Sequence, residues 1–130
     1  MAGLDNEWWD GKKVLITGHT GFVGSWLSIA MLELGAKVSG ISNVVPTRPS
    51  LFEAAHLSSK VDDFRLDIRK IESVRATLNR VGPQIIFHLA AQPLVKESYR
   101  VPRDTVEVNV LGTLNLLEVL RESRSNATLI

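Results

Sequence analysis

Short apolar runs alternate with longer amphipathic stretches along the chain. The runs have the length and the β-branched content that are typical of strands buried on both faces of a sheet. The apolar runs are residues 14–16 and 84–90. Residues 37–41 and 64–68 are also predicted to be strands, and a fifth strand begins within 127–130. Between them, the spacing predicts a helix from Phe22 to about Leu34, a short helix ending near Lys60, a helix over 72–81 and a long helix from about Arg103.

Two of these helices carry apolar residues at helical spacing, and we expect these stripes to face the core. The stripe of the first helix consists of Val23, Trp26, Leu27, Ala30 and Leu34, and that of the long helix consists of Val106, Val110, Leu114, Leu117 and Leu120. Gly35 and Gly82, which follow two of the predicted helices, supply stop signals.

The regular alternation of strands and helices predicts a parallel sheet with helices on both faces. The fold class is therefore α/β, a doubly wound, Rossmann-like parallel sheet that is cut off after its fourth complete strand. A chain of 130 residues accommodates one domain. We expect residues 1–130 to form the N-terminal part of a dinucleotide-binding domain, without its catalytic and substrate-binding parts.

Composition and charge exclude several classes of protein. Fifteen basic against 14 acidic residues give a net charge of +1, which offers no electrostatic basis for binding nucleic acid or a membrane surface. The chain has no cysteine, so disulfides and thiolate metal sites are excluded, and no metal site is predicted. The first 13 residues lack the apolar stretch of a signal peptide, and no apolar run reaches the ~18 residues of a membrane span. We expect a soluble, cytoplasmic protein.

Three glycines, spaced three apart, lie between the first strand and its helix. The N-terminus of a helix presents unpaired N–H groups and partial positive charge, and phosphate reaches it only where no Cβ blocks the approach. We assign Gly18 to the tight turn, Gly21 to the approach of a pyrophosphate and Gly24 to close packing of helix and strand. This context predicts a dinucleotide site, and a turn without a ligand is the alternative.

The residues that would bind the adenosine half leave the choice of cofactor open. No acid lies between Glu33 and Glu53, although NAD sites usually have one at the end of the second strand. Ser42 and Asn43 are the candidates for a ribose hydroxyl, and Arg48 is a candidate for a 2′-phosphate. The residues thus do not separate NAD from NADP.

Other polar residues near the predicted site have two interpretations each. Asp67, after the third strand, either contacts the amino group of adenine or caps the helix that begins near Lys70. His88 lies within an apolar run, which favours a hydrogen-bonded core residue over a catalytic one. We expect His19, in the glycine loop, to face solvent. Ala90 and Ala91 are small where the middle of a cofactor would pass.

The chain resembles the extended short-chain dehydrogenase/reductase family of nucleotide-sugar epimerases and dehydratases. The stretches that carry the resemblance are WDGKKVLITGHTGFVGSWL, PTRPSLFE, DIR, IIFHLAAQPLVKESY and NVLGTLNLLE. Within the family the likeness favours the 4,6-dehydratases, and PSLFE favours those acting on CDP-glucose over those acting on GDP-mannose or dTDP-glucose.

The resemblance implies a tightly bound NAD that takes a hydride from C4 of the glucose and returns it to C6 after water is lost. The product would be a 4-keto-6-deoxy sugar nucleotide, a precursor for bacterial surface polysaccharide. It also implies the cofactor-binding residues, which are Gly18, Thr20, Gly21, Phe22, Val23, Gly24, Ser42, Asn43, Asp67, Ile68, Leu89, Ala90, Ala91 and Gln92. The same resemblance makes Asn109 a structural or bridging residue and implies a homo-oligomeric full-length enzyme.

Catalytic residues are not predicted within this chain. Relatives use a Tyr-x-x-x-Lys pair, but Tyr99 is followed four residues later by Arg103. We therefore expect residues 1–130 alone to have no turnover and to self-associate. Two alternatives remain open, namely another epimerase or reductase of the same family and a non-catalytic NAD(P)-binding sensor module.

Overall fold

The fold was analysed in a computed structural model that describes residues 6–130, so the first five residues of the N-terminal segment lie outside the described residues. The described part contains five strands and seven α-helices in the chain order α1 Asn6–Trp9, β1 Lys13–Thr17, α2 Phe22–Glu33, β2 Lys37–Ser42, α3 Leu51–Ala54, β3 Asp62–Arg65, α4 Ile71–Val81, β4 Ile85–His88, α5 Val95–Arg100, α6 Pro102–Val106, α7 Gly112–Glu122 and β5 Thr128–Leu129. A short 3₁₀ turn, Leu57–Ser59, precedes β3, and a π-helical turn, Glu107–Leu111, joins α6 to α7.

The five strands form one parallel sheet in the order β3-β2-β1-β4-β5. The predicted α/β fold with a doubly wound parallel sheet is confirmed. Because all strands run the same way, the segments that follow them meet at one edge of the sheet, where α/β proteins bind ligands.

A hydrophobic core lies on each face of the sheet. On one face, residues of the sheet pack with α4 and α7, and the cluster comprises Leu15, Ile41, Ile68, Val74, Leu78, Ile86, Leu116 and Val119. The cluster on the other face comprises Val14, Ile16, Met31, Ala36, Val38, Val61 and Ile85, with Trp9 and Leu27 packed against it. Consecutive residues of β1 thus serve opposite cores, which explains why this strand is uniformly apolar.

The predicted core-facing stripe of α2 is only partly right. Leu27 and Leu34 are half-buried and pack against the core, but the other members are exposed. Trp26 is 53% exposed and Val23 is 64% exposed, whereas the buried residues of this helix are Gly24, Ser25, Ser28 and Met31. The small residues allow the helix to approach the sheet closely. The Ser25 hydroxyl donates to the carbonyl of His19, and the Ser28 hydroxyl donates to that of Gly24, so burial leaves neither hydroxyl unpaired.

The predicted stripe of the long helix is also misplaced, except for Leu120, which is half-buried and packs against the core. Val106, Val110, Leu114 and Leu117 are exposed, and the buried face consists of Gly112, Asn115, Leu116 and Val119. Gly112 is required there, because a Cβ at this position would lie 2.6 Å from Cγ2 of Ile68.

Two strands end before the predicted positions. β3 ends at Arg65 rather than Ile68, since its ladder with β2 closes at the pair Ser42 and Arg65. β4 ends at His88 rather than Ala90. As a consequence, residues 66–68 and 89–92 belong to the loops at the carboxyl edge of the sheet, where side chains and backbone groups are available to a ligand.

Within residues 6–130, no helix combines the length and the apolar character that crossing a membrane requires.

Candidate functional site

The glycine loop between β1 and α2 lies at the centre of the carboxyl edge. Gly18 has a φ of +77° and its N–H donates to the Ile41 carbonyl at 2.7 Å. A Cβ on Gly18 would lie 2.9 Å from the backbone of Leu89 and Ala90. The loop is thus in contact with the ends of both neighbouring strands, and only glycine fits at its first position.

The other two glycines keep the N-terminus of α2 open. A Cβ on Gly24 would lie 2.1 Å from the Gly18 carbonyl oxygen, so the close packing predicted there exists, although its partner is the loop rather than the strand. Gly21 is the N-cap of α2 and has no side chain to cap the helix. Among residues 6–130, no acceptor bonds to the backbone N–H groups of Phe22, Val23 or Gly24. Uncapped backbone N–H groups of this kind are the groups that bind anions at helix N-termini in other proteins.

A buried histidine supports the loop from behind. His19 is 0% exposed, so the expectation that it faces solvent is wrong. Its Nε2 donates to Asp63 Oδ1 at 2.8 Å, and the Ser42 hydroxyl, 3.1 Å away, donates to its Nδ1. This assignment follows because an ionised carboxylate only accepts. Ser42 Oγ in turn accepts the Thr20 N–H at 3.4 Å, which extends the network from β3 to the glycine loop.

This network occupies the hydroxyl of Ser42, which is one of the two residues predicted to bind the ribose. Ser42 is buried and its hydroxyl points to His19, whereas Asn43 is exposed. The Thr20 hydroxyl donates to the Val44 carbonyl at 2.7 Å and ties the glycine loop to the segment after β2. The structure therefore brings the loop and residues 42–44 together, with Asn43 as the member facing solvent.

A second histidine network joins β1, β4 and the π-helical turn. The Ala90 N–H donates to Thr17 Oγ1 at 3.1 Å, and the Thr17 hydroxyl donates to His88 Nδ1 at 2.7 Å. His88 Nε2 donates to Thr113 Oγ1 at 2.8 Å, and Thr113 donates to the Asn109 carbonyl. His88 is hydrogen-bonded through both ring nitrogens, as predicted, but it is half-buried rather than part of the core, and it lies below the loop 89–92.

Asn109 fixes the outer part of that loop. Its Oδ1 accepts the Gln92 N–H at 2.8 Å, and its Nδ2 donates to the Gln92 carbonyl at 3.2 Å. The Gln92 side chain donates to Thr105 Oγ1 and accepts the Leu94 N–H. Leu89, Ala90, Ala91 and Gln92 therefore form an ordered segment beside the glycine loop. The helical segment that holds it was predicted, but the π-helical turn and the contacts of Thr105 and Thr113 were not.

Asp67 lies two residues beyond β3 and does not cap the next helix. The N-cap of α4 is Lys70, so the capping interpretation of Asp67 is wrong. The carboxylate instead accepts the Arg69 N–H at 2.9 Å and binds the Arg69 guanidinium. Hydrogen bonds from Arg69 lower the pKa of Asp67. The carbonyl of the neighbouring Ile68 accepts a bond from the buried Asn115 at 3.0 Å.

Both network histidines are neutral near pH 7. Burial lowers the pKa of His19 although its hydrogen bond to Asp63 acts in the opposite direction, and burial lowers the pKa of His88. For Asp63, burial raises the pKa, but the hydrogen bonds from Arg65 and His19 outweigh it and the net pKa is lowered.

The histidines predict a loss of stability in mild acid. Since the unfolded chain binds protons near pH 6.5 and the folded chain binds them only at lower pH, the stability they contribute is complete above about pH 6.5 and is lost as the pH falls. We expect the free energy of unfolding to decrease from pH 7 to pH 5, by at most about 1.4 kcal/mol per pH unit for each histidine. Urea unfolding at several pH values measures this slope.

Substituting a histidine tests whether the change in the free energy of unfolding with pH comes from these side chains. His88→Gln keeps a donor at the Nε2 position but does not titrate, so it reduces the slope, while His56→Asn, at an exposed position with φ of +52°, controls for the loss of a histidine. A stability that stays constant or rises between pH 7 and pH 5 contradicts the prediction.

Comparison with known proteins agrees with this geometry. A family model described as GDP-mannose 4,6 dehydratase matches residues 15–130. The chain belongs to the GDP-mannose 4,6-dehydratase family. The resemblance to nucleotide-sugar epimerases and dehydratases of the extended short-chain dehydrogenase/reductase type is confirmed.

Members of the GDP-mannose 4,6-dehydratase family and its relatives cover nearly the whole chain. The chain is 46% identical over 119 residues to the CDP-glucose 4,6-dehydratase of Salmonella typhimurium. The aligned region covers 92% of this chain and 33% of that protein. It is 35% identical to the GDP-mannose 4,6-dehydratase of Vibrio cholerae, over 85% of this chain and 31% of that protein. The chain thus spans about a third of the length of these curated relatives.

Solved structures show the same fold. The UDP-glucose 4-epimerase of Thermus thermophilus, determined in complex with NAD, superimposes with a TM-score of 0.75 at 35% identity, over 86% of this chain and 34% of the epimerase. A Campylobacter jejuni UDP-Glc/GlcNAc 4-epimerase gives a TM-score of 0.77 at 26% identity, over 89% of this chain and 35% of the epimerase.

Proposed function

We propose that this chain is the NAD-binding part of a nucleotide-sugar 4,6-dehydratase, a lyase that acts on CDP-glucose. The observation that carries the proposal is the N-terminus of α2. No side chain caps it, and within residues 6–130 no acceptor bonds to the backbone N–H groups of Phe22, Val23 and Gly24. The 46% identity to a CDP-glucose 4,6-dehydratase, against 35% for a GDP-mannose 4,6-dehydratase, supports the choice of substrate.

We propose that residues at the carboxyl edge bind the dinucleotide along its whole length. The N–H groups of Phe22 and Val23 would bind the diphosphate together with Thr20 and the three glycines. Asn43 would bind the adenosine ribose, with the Ser42 hydroxyl holding the loop instead. Asp67 and Ile68 would bind adenine, and the nicotinamide half would lie along Leu89, Ala90, Ala91 and Gln92. When bound, NAD would supply the group that accepts and returns a hydride of the sugar.

This chain holds the cofactor but not the acid–base groups of the reaction. Tyr99, its single tyrosine, lies exposed in α5 and is not followed by a lysine at the fourth position. We therefore propose that catalytic residues lie in a part of the enzyme that this sequence does not include, and that residues 1–130 have no turnover. The full enzyme would be a cytoplasmic homo-oligomer.

Calorimetric titration of the chain with NAD and with NADP tests the cofactor. We expect saturable binding of NAD and weaker binding of NADP. Tighter binding of NADP would redirect the proposal to an NADP-dependent member of the family. Steady conversion of CDP-glucose by the purified chain would contradict the absence of catalytic residues, and absence of binding by both dinucleotides would remove the proposal.

The exposed apolar stripe predicts self-association of the chain. Val106, Val110, Leu114 and Leu117 lie on one side of the continuous helical segment 102–122 and are exposed. A contiguous apolar surface of this kind marks an interaction site. We expect the chain to dimerise and Leu114→Glu to shift sedimentation velocity to the monomer, because the dimer would bury the new charge.

Val44→Glu is the matched control, since Val44 is also exposed but follows β2 and is not part of the helical segment 102–122. A wild-type chain that sediments as a monomer at every concentration contradicts the prediction, and so does an equal effect of both variants.

A further inference from the structure

Arg69 lies beside the proposed adenine end of the site and holds carboxylates from two parts of the chain. Its Nε donates to both oxygens of Asp67 at 3.0 Å, and its Nη2 donates to Asp67 Oδ2 at 2.7 Å. Its Nη1 donates to Asp104 Oδ1 at 2.5 Å and lies 3.5 Å from Glu107 Oε2. One guanidinium thus connects the turn after β3 to the beginning of the helical segment 102–122.

These contacts leave Asp67 little freedom to rotate. Oδ1 accepts both the backbone N–H and the Nε of Arg69, while Oδ2 accepts from the planar guanidinium. An arginine fork of this kind fixes the plane of a carboxylate, which a lysine does not. The hydrogen bonds of Arg69 also lower the pKa of Asp67, so the group is an acceptor with no proton of its own to donate.

The far side of Arg69 is held as firmly as the near side. Asp104 in α6 and Glu107 in the π-helical turn both face its Nη1. They hold the outer nitrogen of Arg69 and keep the guanidinium from turning toward a phosphate of a ligand. The orientation of the Asp67 carboxylate is therefore fixed by Arg69, which Asp104 and Glu107 hold from the other side.

We propose that Arg69 is a positioning residue that gives the site its preference for a 6-amino purine, by holding the Asp67 carboxylate in the orientation that accepts the amino group. The proposal rests on the proposed function, because it assumes that a dinucleotide places its adenine against Asp67. Arg69 itself does not contact the base. Its role is separate from net charge, since it depends on the fork geometry.

A pair of ligands that differ only at the purine 6-position tests the proposal. One is NAD and the other is its analogue with purine in place of adenine, which lacks the amino group. By calorimetry we expect the wild-type chain to bind NAD about tenfold more tightly, as is typical for one hydrogen bond to a charged group. Arg69→Gln lowers that ratio to about two through weaker binding of NAD, and Arg69→Lys gives an intermediate ratio.

Arg75→Gln is the matched control. Arg75 also joins two carboxylates from different elements, Glu72 of α4 and Glu122 of α7, but it lies away from the carboxyl edge. This variant keeps the wild-type ratio. Should Arg69→Gln not fold, the double variant Asp104→Asn/Glu107→Gln carries the test. It weakens the outer contacts of Arg69 and, besides these, the exposed pair of Glu107 with Arg103, and it is expected to lower the ratio.

The outcomes separate this proposal from the one on which it rests. If Arg69 stacked on the base, Arg69→Gln would weaken both ligands alike and leave the ratio unchanged, which overturns the proposal. Equal affinity of the wild-type chain for NAD and for the purine analogue also overturns this proposal, but it leaves the proposed binding of NAD intact. If the wild-type chain binds neither ligand, the proposed cofactor site itself fails.

Discussion

Val23→Glu is expected to remove most binding of NAD while the fold is retained. Val23 is 64% exposed in the first turn of α2, so its side chain contributes little to the core. This turn contains no acid, and a carboxylate beside the helix N-terminus stabilises the helix by about 0.3–1 kcal/mol. The same carboxylate would repel a diphosphate bound to the N–H groups of Phe22 and Val23 and would compete for them. At short range such a repulsion amounts to about 1.4–3 kcal/mol, which corresponds to ten- to a hundredfold weaker binding.

Calorimetric titration at low ionic strength, together with thermal unfolding, measures both effects. Glutamine has nearly the same shape as glutamate but no charge, so Val23→Gln is expected to bind NAD as the wild-type chain does. Added salt should reduce the difference in NAD affinity between the two variants, because exposed charges are screened. Equal affinity of Val23→Glu and Val23→Gln would show that no anion binds at this helix end.

The periodicity of the chain carried enough information for the architecture. The uniformly apolar run of Val14, Leu15 and Ile16 became a strand because a parallel sheet covered on both faces demands apolar residues at consecutive positions. The glycine spacing located the loop for a related reason. Gly18 and Gly24 lie where a Cβ would meet backbone atoms, and sequence displays such a constraint directly as the absence of a side chain.

The buried faces of the helices were less predictable, because apolar residues occur on more than one face. In the long helix Leu116 and Val119 are buried while Leu114 and Leu117 are exposed, and their spacing alone does not rank the two sets. In α2, close approach to the sheet requires small residues, so Ser25 and Ser28 are buried in place of Trp26. A prediction that places the most apolar residues in the core therefore puts Trp26 inside and Ser25 and Ser28 at the surface.

The support of the site was not predictable from local spacing. His19 bonds to Asp63, which is 44 positions away, and His88 bonds to Thr113, 25 positions away. Only the parallel register of β2 with β3 brings Gly40 opposite Asp63 and opens the space for an imidazole. Without that register a histidine in a glycine loop looks like a surface residue.

The His19 ring fills the space above Gly40. We therefore expect the effect of Gly40→Ala on stability to depend on whether His19 is present, which a double-mutant cycle measures. A Cβ on Gly40 would lie 2.1 Å from Cγ and 2.5 Å from Nδ1 of the His19 ring. The ring has no room to move, since Ser42 and Asp63 bond to its two nitrogens and Phe52 packs edge-on against it at 5.4 Å between centroids. We expect Gly40→Ala to lower the free energy of unfolding by about 2–4 kcal/mol through overpacking and the loss of these bonds.

In a His19→Ala background the clash no longer exists, and Gly40→Ala should become neutral or stabilise the chain by up to about 1 kcal/mol, because alanine loses less backbone entropy than glycine in a strand. Urea unfolding of the four chains gives the coupling energy. Gly40→Ala in a His88→Ala background is the control and should keep its full cost, since His88 does not touch this space. If Gly40→Ala destabilises the His19→Ala chain as much as the wild-type chain, the imidazole does not occupy the space above Gly40, and the glycine loop must be supported in another way.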